Sequence, residues 1–304
     1  MRTEVRNAPR EQRSHGDALF PLAGYWYLAG PDMPVVDCHW HGEAEFLLVL
    51  EGQTLFQIGP ERFPIRAGEA VFVHGGDIHA GYPLGGMGCR FFAVVFDMNL
   101  LCSGTPDRLQ HEYVLPLVEG KRSLPAHYTS DDPLGRAVLA ELHGLRRELA
   151  EKRPGYELAA KSRLYRILAE VAANGRWVAR TRDSEVEAYD LHLLKRVLTY
   201  IENNYQKRIY IRELAQLAHM TDSQFCRYFK RWVRKTPVEY INGYRIRRAA
   251  ELLERSDRKL LDIAMEVGFD NPSYFIRRFR EEMRCTPAVY RRGIRFKPEP
   301  SDPG

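Results

Sequence analysis

Between residues 25 and 101 apolar side chains arrive in short runs, FLLVL at Phe46–Leu50 and FFAVVF at Phe91–Phe96 being the longest. Glycines at 52, 59, 68, 75, 76, 81, 85 and 86 punctuate them. Short apolar runs rich in Val and Phe and closed by glycine predict an antiparallel β-barrel or sandwich. From Asp132 the period changes. Leu134, Val138, Leu142, Leu145 and Leu149 recur every three or four positions, Arg153-Pro154-Gly155 interrupts them, and Leu158–Val171 resumes the pattern. That texture predicts a helical hairpin with one apolar stripe, to be buried on the barrel or on a second copy of the chain. A polar stretch at 180–190 follows, and from Leu191 the pattern is helical throughout. The expected architecture is α+β in two domains: a barrel domain with its N-terminal arm at 1–130, a coupling or dimerisation hairpin at 131–178, a linker at 179–190 and an all-α domain at 191–295.

The all-α region contains a repeat. Ser223, Phe225, Arg227, Phe229, Thr236, Pro237 and Tyr240 recur fifty positions on as Ser273, Phe275, Arg277, Phe279, Thr286, Pro287 and Tyr290. Upstream, Leu214-Ala215 answers Ile263-Ala264 at a shift of one less, so the second copy has one extra residue in its turn. Each copy reads as a short helix, a tight turn and a second helix, a helix-turn-helix layout. Thr221 with Gln224 is a capping box for the second helix of the first copy, and Asn271-Pro272 opens its counterpart. On a helical wheel Phe225, Phe229 and Trp232 share one side, with Ser223, Arg227, Lys230 and Arg234 opposite. Phe275 and Phe279 lie across from Ser273, Arg277, Arg280 and Arg284 in the same way. A small polar residue at the helix start allows close approach to base edges. An arginine one turn later can fork onto guanine, and further basic residues can reach phosphates. Between the copies, Pro237–Ser256 forms a helix about 30 Å long. That is close to the roughly 34 Å between successive major-groove faces of a duplex, so one chain can read two turns of double-stranded DNA.

Charge sharpens this reading. Residues 186–304 carry 24 lysines and arginines against 16 acidic residues, net +8, whereas residues 1–185 are net −3. A polyanion partner is therefore expected for the rear domain alone. Five cysteines, widely spaced and without a CxxC pair, support neither a disulfide framework nor a zinc finger and are expected to be reduced thiols. The apolar runs are too short to cross a membrane and the charged N-terminus lacks a signal-peptide core, so a cytoplasmic location is expected, with no membrane partner.

The last 110 or so residues resemble the AraC/XylS family of bacterial transcription regulators. The hallmark is DIAMEVGFDNPSYFIRRFREEMRCTPAVYRR, with Gly268, Phe269, Tyr274, Phe275, Phe279, Thr286, Pro287 and Tyr290 at its most characteristic positions. The resemblance implies base-reading residues at Ser223, Gln224 and Arg227 and at Ser273, Tyr274 and Arg277. Lys230, Arg231, Arg234, Asn271, Arg280 and Arg284 complete the expected DNA surface. It also implies a homodimer, contact with RNA polymerase, and activation more often than repression. His219 and the Arg284-Cys285 pair depart from the family, which commonly has glycine there.

The front domain resembles the cupins. His39-x-His41-x3-Glu45-x6-Gly52 fits the first cupin motif and Gly68-x5-His74-x-Gly76-x2-His79 the second, with His74 in place of the usual proline and Pro83 in place of asparagine. In metal-binding cupins these positions converge, making His39, His41, Glu45 and His79 the candidate ligands of a divalent metal. The same residues could instead hold an organic effector by hydrogen bonds. Trp26, Trp40 and Tyr82 offer stacking surfaces for a sugar, with core packing as the alternative role. Together the motifs predict a small-molecule-controlled, sequence-specific transcription regulator with no enzymatic activity and no required cofactor. A metal-dependent cupin enzyme bearing a DNA-binding region is the alternative.

Overall fold

Alternation in the first third of the chain becomes seven strands: β1 (Leu22–Ala29), β2 (Val36–His39), β3 (Ala44–Ile58), β4 (Glu61–Arg66), β5 (Ala70–Val73), β6 (His79–Pro83) and β7 (Cys89–Phe96). The computed structural model describes residues 15–31, 35–180 and 185–295. The expected N-terminal arm therefore lies outside the described residues as far as residue 14. The chain divides into two units near residue 188.

In the first unit β3 is the spine. Its first half pairs antiparallel with β5 and β7 and its second half with β4 and β6; β1 extends from β7 and β2 from β6. The changeover falls at Gly52, whose φ is +75° and where an added Cβ would sit 2.0 Å from the Gly88 carbonyl oxygen. Only glycine fits that crossing. Because side chains alternate along a strand, Glu45, Leu47 and Val49 point into the barrel, and the last two join Tyr25, Phe56, Phe91 and Val95 in its core. Phe46 and Leu48 point outward, onto a second core shared with the hairpin.

That hairpin is α2 (Pro133–Glu151) and α3 (Tyr156–Ala173), preceded by the one-turn α1 (Leu115–Val118) and the short strands β8 (Arg122–Ser123) and β9 (His127–Tyr128). The Asp132 carboxylate accepts from the Gly135 N–H at 2.9 Å, capping α2, with Pro133 at its first position. The predicted stripe Leu134, Val138, Leu142, Leu145 and Leu149 is buried, packed with Phe92, Val94 and Phe96 of the barrel and Leu164 and Ile167 of α3. Of the two fates open to that stripe, the barrel takes it. The hairpin is thus part of the barrel unit rather than a separate body. Arg163 of α3 forms ion pairs with Glu141 and Glu148, each at 3.0 Å, across Gly144 of α2. The chain then returns to the barrel, β10 (Val178–Ala179) pairing with β8.

The second unit is helical: α4 (Glu185–Asn204), α5 (Ile211–Leu217), α6 (Asp222–Val233), α7 (Pro237–Arg255), α8 (Leu260–Glu266), α9 (Pro272–Met283) and α10 (Pro287–Arg295). Helix begins at Glu185, inside the expected 179–190 linker. Glu, Val and Ala tolerate or favour helix there, and acidic residues suit a helix N-terminus. Residues 181–184 of that linker lie outside the described residues.

Candidate functional site

The repeat seen in the sequence is a repeat in space. The Thr221 hydroxyl accepts from the Gln224 N–H while the Gln224 side-chain Oε1 accepts from the Thr221 N–H at 3.0 Å, closing the expected capping box on α6. Asn271 accepts from the Tyr274 N–H at 3.0 Å to start α9, with Pro272 at its first turn. Phe225–Phe229 and Phe229–Tyr240 ring centroids lie 5.6 and 5.5 Å apart. Their counterparts Phe275–Phe279 and Phe279–Tyr290 lie 5.7 and 5.6 Å apart. The aromatics are core in both copies. α7, about 28 Å long at 1.5 Å per residue, packs against α6 and α9. Glu282 of α9 gathers Arg247 of α7 at 3.4 Å and Lys235, just beyond α6, at 3.5 Å.

Ser223, Gln224, Arg227, Lys230, Arg231 and Arg234 are exposed, as are Asn271, Ser273, Arg277, Arg280 and Arg284. The basic face of each second helix is thus open to a partner. Four details differ from the wheel. Arg234 and Arg284 are not on the helices: they follow the last helical residue in the left-handed conformation, with φ of +63° and +57°. This is the position that favours glycine, which accounts for the glycine that the resemblance leads one to expect where Arg284 stands. Gln224 has its carbonyl oxygen committed to Thr221, leaving the amino group as its polar offer. Tyr274 is half-buried, packed on Phe269, and its hydroxyl accepts from Asn242 at 2.9 Å; it braces the helix more than it presents a group. Ile276, 39% exposed on α9 beside Arg277, was not anticipated. An apolar residue on the basic face can contact a thymine methyl, and its place one position after the buried Phe275 was the available signal.

The turns explain the other family departure. His219, φ +53°, and Gly268, φ +92°, occupy equivalent places after α5 and α8. At Gly268 an added Cβ would come within 2.7 Å of the Tyr205 carbonyl oxygen, so glycine is required. His219 is exposed, so its side chain meets no such barrier.

In the barrel unit, His39, His41, Glu45 and His79 converge: one ligand atom from each lies within 4.8 Å of all the others, and all four residues are buried. Each imidazole is held from behind. Nδ1 of His39, His41 and His79 lies 2.7, 3.0 and 3.0 Å from the main-chain carbonyls of Asp37, Glu43 and Asp77. With Nδ1–H donated to a carbonyl, Nε2 is the nitrogen each ring has left to offer a metal, the arrangement that metal-ligating histidines take. Glu45 Oε2 lies 3.1 Å from His41 Nε2 and 3.3 Å from His79 Nε2, the latter out of line for a hydrogen bond. Buried imidazoles aimed at one point beside a carboxylate fit a divalent transition metal. Sequence reasoning missed His15: it is buried, accepts or donates at Nδ1 to the Tyr25 hydroxyl at 2.9 Å, and its ring centroid is 5.5 Å from that of His41. Its isolation in the sequence offered no signal.

Two of the aromatics expected to stack on a sugar are elsewhere. Trp26 packs on Phe92 in the hairpin-facing core. By strand alternation Tyr82 points away from His79, both being on β6. His74, where proline was expected, anchors the loop, its ring nitrogens 3.1 Å from the carbonyls of Gly75 and Leu117. All five cysteines are free thiols, and burial pushes the Cys89 thiol up to about 11, away from reactivity.

A barrel with a buried donor cluster and a helical unit with twin basic helices define a ligand-binding, DNA-binding regulator. Residues 22–168 match the AraC-like ligand binding domain family and residues 214–293 a helix-turn-helix domain family. The chain is similar to the HTH-type transcriptional regulator YdeC of Bacillus subtilis, 25% identical over 93% of this chain and 96% of that one. It is also similar to the transposon Tn10 TetD protein of Escherichia coli, 34% identical over 33% of this chain and 72% of TetD. Among solved structures, the DNA-binding domain of AdpA in complex with a target DNA is 27% identical, covering 34% of this chain and 92% of that one, with a TM-score of 0.33. The chain belongs to the AraC/XylS family of transcription regulators. Among the described residues no helix is long and apolar enough to cross a membrane.

Proposed function

We propose that this regulator reads DNA through Arg227 and Arg277, flanked by Ser223 and Ser273, and that its hold on DNA is set by a ligand taken up at the His39–His41–Glu45–His79 cluster. A divalent transition metal is part of that ligand. Lys230, Arg231 and Arg280 face phosphates, while Arg234 and Arg284, beyond the helix ends, add only charge. The observation that carries the sensor reading is the set of three imidazoles, each oriented by a main-chain carbonyl onto one carboxylate-bearing point. Three imidazoles and one carboxylate leave open positions on a metal such as manganese, iron or zinc, where an anionic or hydroxyl-bearing effector can ligate. Trp26 and Tyr82 are turned away from this point, so neither offers a sugar a stacking platform there.

Activation ahead of repression, with RNA polymerase as a further partner, rests on the family resemblance. Self-association would use the outer side of α3, since α2's stripe is spent on the barrel. There Leu158 is 78% exposed and lines, with Leu109, Tyr113 and Tyr165, a groove of about 760 Å³.

The test uses full-length protein stripped with a chelator and refilled with Zn(II), Mn(II) or Fe(II), titrated onto a duplex selected from a random pool. One metal should change DNA affinity several-fold, and the His39→Ala/His79→Ala variant should lose both metal and response. Equal DNA affinity with and without each metal, in wild type and variant alike, would refute the sensor reading and leave the DNA-binding assignment standing.

A further inference from the structure

Asp77 sits in the loop between β5 and β6 and makes two unrelated sets of bonds. Its main-chain carbonyl accepts from His79 Nδ1 at 3.0 Å, fixing that imidazole toward the cluster. Its carboxylate oxygens accept from both terminal nitrogens of Arg180, each at 2.8 Å, across 103 positions of sequence. The pair is half-sheltered, the side chains 19% and 32% exposed. Arg180 also donates its main-chain N–H to the Lys121 carbonyl at 3.1 Å, continuing the β8–β10 pairing. It is the last described residue before the segment that leads into α4 and the DNA-binding unit.

The loop is stiff. Gly75 lies so close to Gly42 that a Cβ would be 2.2 Å from its carbonyl oxygen, and the Gly76 N–H donates to the His41 carbonyl at 2.7 Å. The Asp77 N–H returns to the His74 carbonyl at 3.0 Å. The same few residues therefore touch two of the four cluster members through the backbone and hold Arg180 through a side chain. A two-pronged guanidinium–carboxylate pair demands a fixed orientation of both planes, so a rotation of the Asp77 backbone that follows His79 strains the hold on Arg180.

We infer that Asp77 is a positioning residue that couples the histidine cluster to the exit of the sensor unit: its carbonyl orients His79 while its carboxylate clamps Arg180. Ligation of the cluster and closure of the clamp strengthen one another, and by linkage each must change the other by the same factor. This rests on the reading of the cluster as the effector-responsive site.

The experiment is amide hydrogen exchange of the full-length chain, read at Val178–Arg180, together with Zn(II) titration. Asp77→Asn and Arg180→Gln are each expected to speed exchange there about tenfold, as the loss of a charge-assisted bidentate pair implies. His79→Ala should speed it as well, and should add nothing further in an Arg180→Gln background. Arg180→Gln should also weaken Zn(II) binding about fivefold, although Arg180 touches no ligand. Exchange at 178–180 that is unchanged in His79→Ala, or effects of the two substitutions that multiply independently, would overturn the coupling. Should His79→Ala fail to fold, His79→Gln takes its place. If wild type takes up no Zn(II) yet the two substitutions still fail to multiply, the coupling stands and the metal reading falls.

Discussion

Replacing Arg227 and Arg277 separately by alanine distinguishes reading of bases from mere attraction to phosphate, and the structure sets different magnitudes for the two. Both side chains are exposed, so either change should alter folding stability by less than about 0.5 kcal/mol. A forked contact to guanine is worth about 1–3 kcal/mol, or about a five- to 150-fold rise in Kd. Arg227 should show that full loss. Arg277 is already engaged: its guanidinium carbon lies 5.2 Å from the Tyr274 ring centroid and its Nε 4.0 Å from Glu281. An exposed cation–π contact is worth about 0.5–1 kcal/mol, and an exposed ion pair at that distance little more than about 0.2 kcal/mol. Moving onto a base forfeits part of both, so the net loss for Arg277→Ala should be smaller by about 0.5 kcal/mol. Glu281→Gln should tighten binding and narrow the gap. The assay is fluorescence anisotropy on a selected duplex and on single-base variants of it, at several salt concentrations. Each arginine change should flatten discrimination at a few base pairs, whereas Lys230→Ala should weaken all sequences alike and lower the salt slope by about 0.9. Uniform weakening by both arginine changes, with the salt slope falling as for Lys230→Ala, would refute their assignment as base readers.

Other substitutions probe the frame. His219→Gly, relieving a left-handed φ of +53° on an exposed turn, should stabilise the second unit by up to about 1 kcal/mol in thermal melts. Gly268→Ala, which forces a Cβ against the Tyr205 carbonyl oxygen, should destabilise it by about 2 kcal/mol or more. Glu239 is held below its ordinary value of 4.5, first by the Thr236 backbone N–H and then by its hydroxyl. A depressed folded-state value means stability that is present above about 4.5 and lost as pH falls through the lower folded value, so Glu239→Gln should flatten urea midpoints across that acid range. Leu158→Glu should lower the mass of any dimer seen by light scattering without shifting the melting temperature, because the residue is exposed.

Much of the second unit was legible in advance because its information is local. Capping residues, a period near 3.6 and seven identities at one spacing name two copies of one motif, and the structure returns the same ring distances in both. The hairpin stripe was visible too, but its fate was not, since an apolar stripe does not say which apolar surface covers it. Arg234 and Arg284 were misplaced on the wheel because a helix end is decided by one backbone torsion, and arginine gives no warning of a left-handed cap.

For the histidine cluster the resemblance of two short motifs to the cupins named the four residues, His39, His41 and Glu45 from the first and His79 from the second. What only the tertiary structure decided is which groups stand behind them and around them. The meeting of His79 with His39, His41 and Glu45, the arrival of His15, the packing of Trp26 on Phe92, and the grip of Asp77 on Arg180 all depend on contacts between distant segments. Local pattern fixes which face a side chain takes; it carries no record of what the folded chain brings opposite that face.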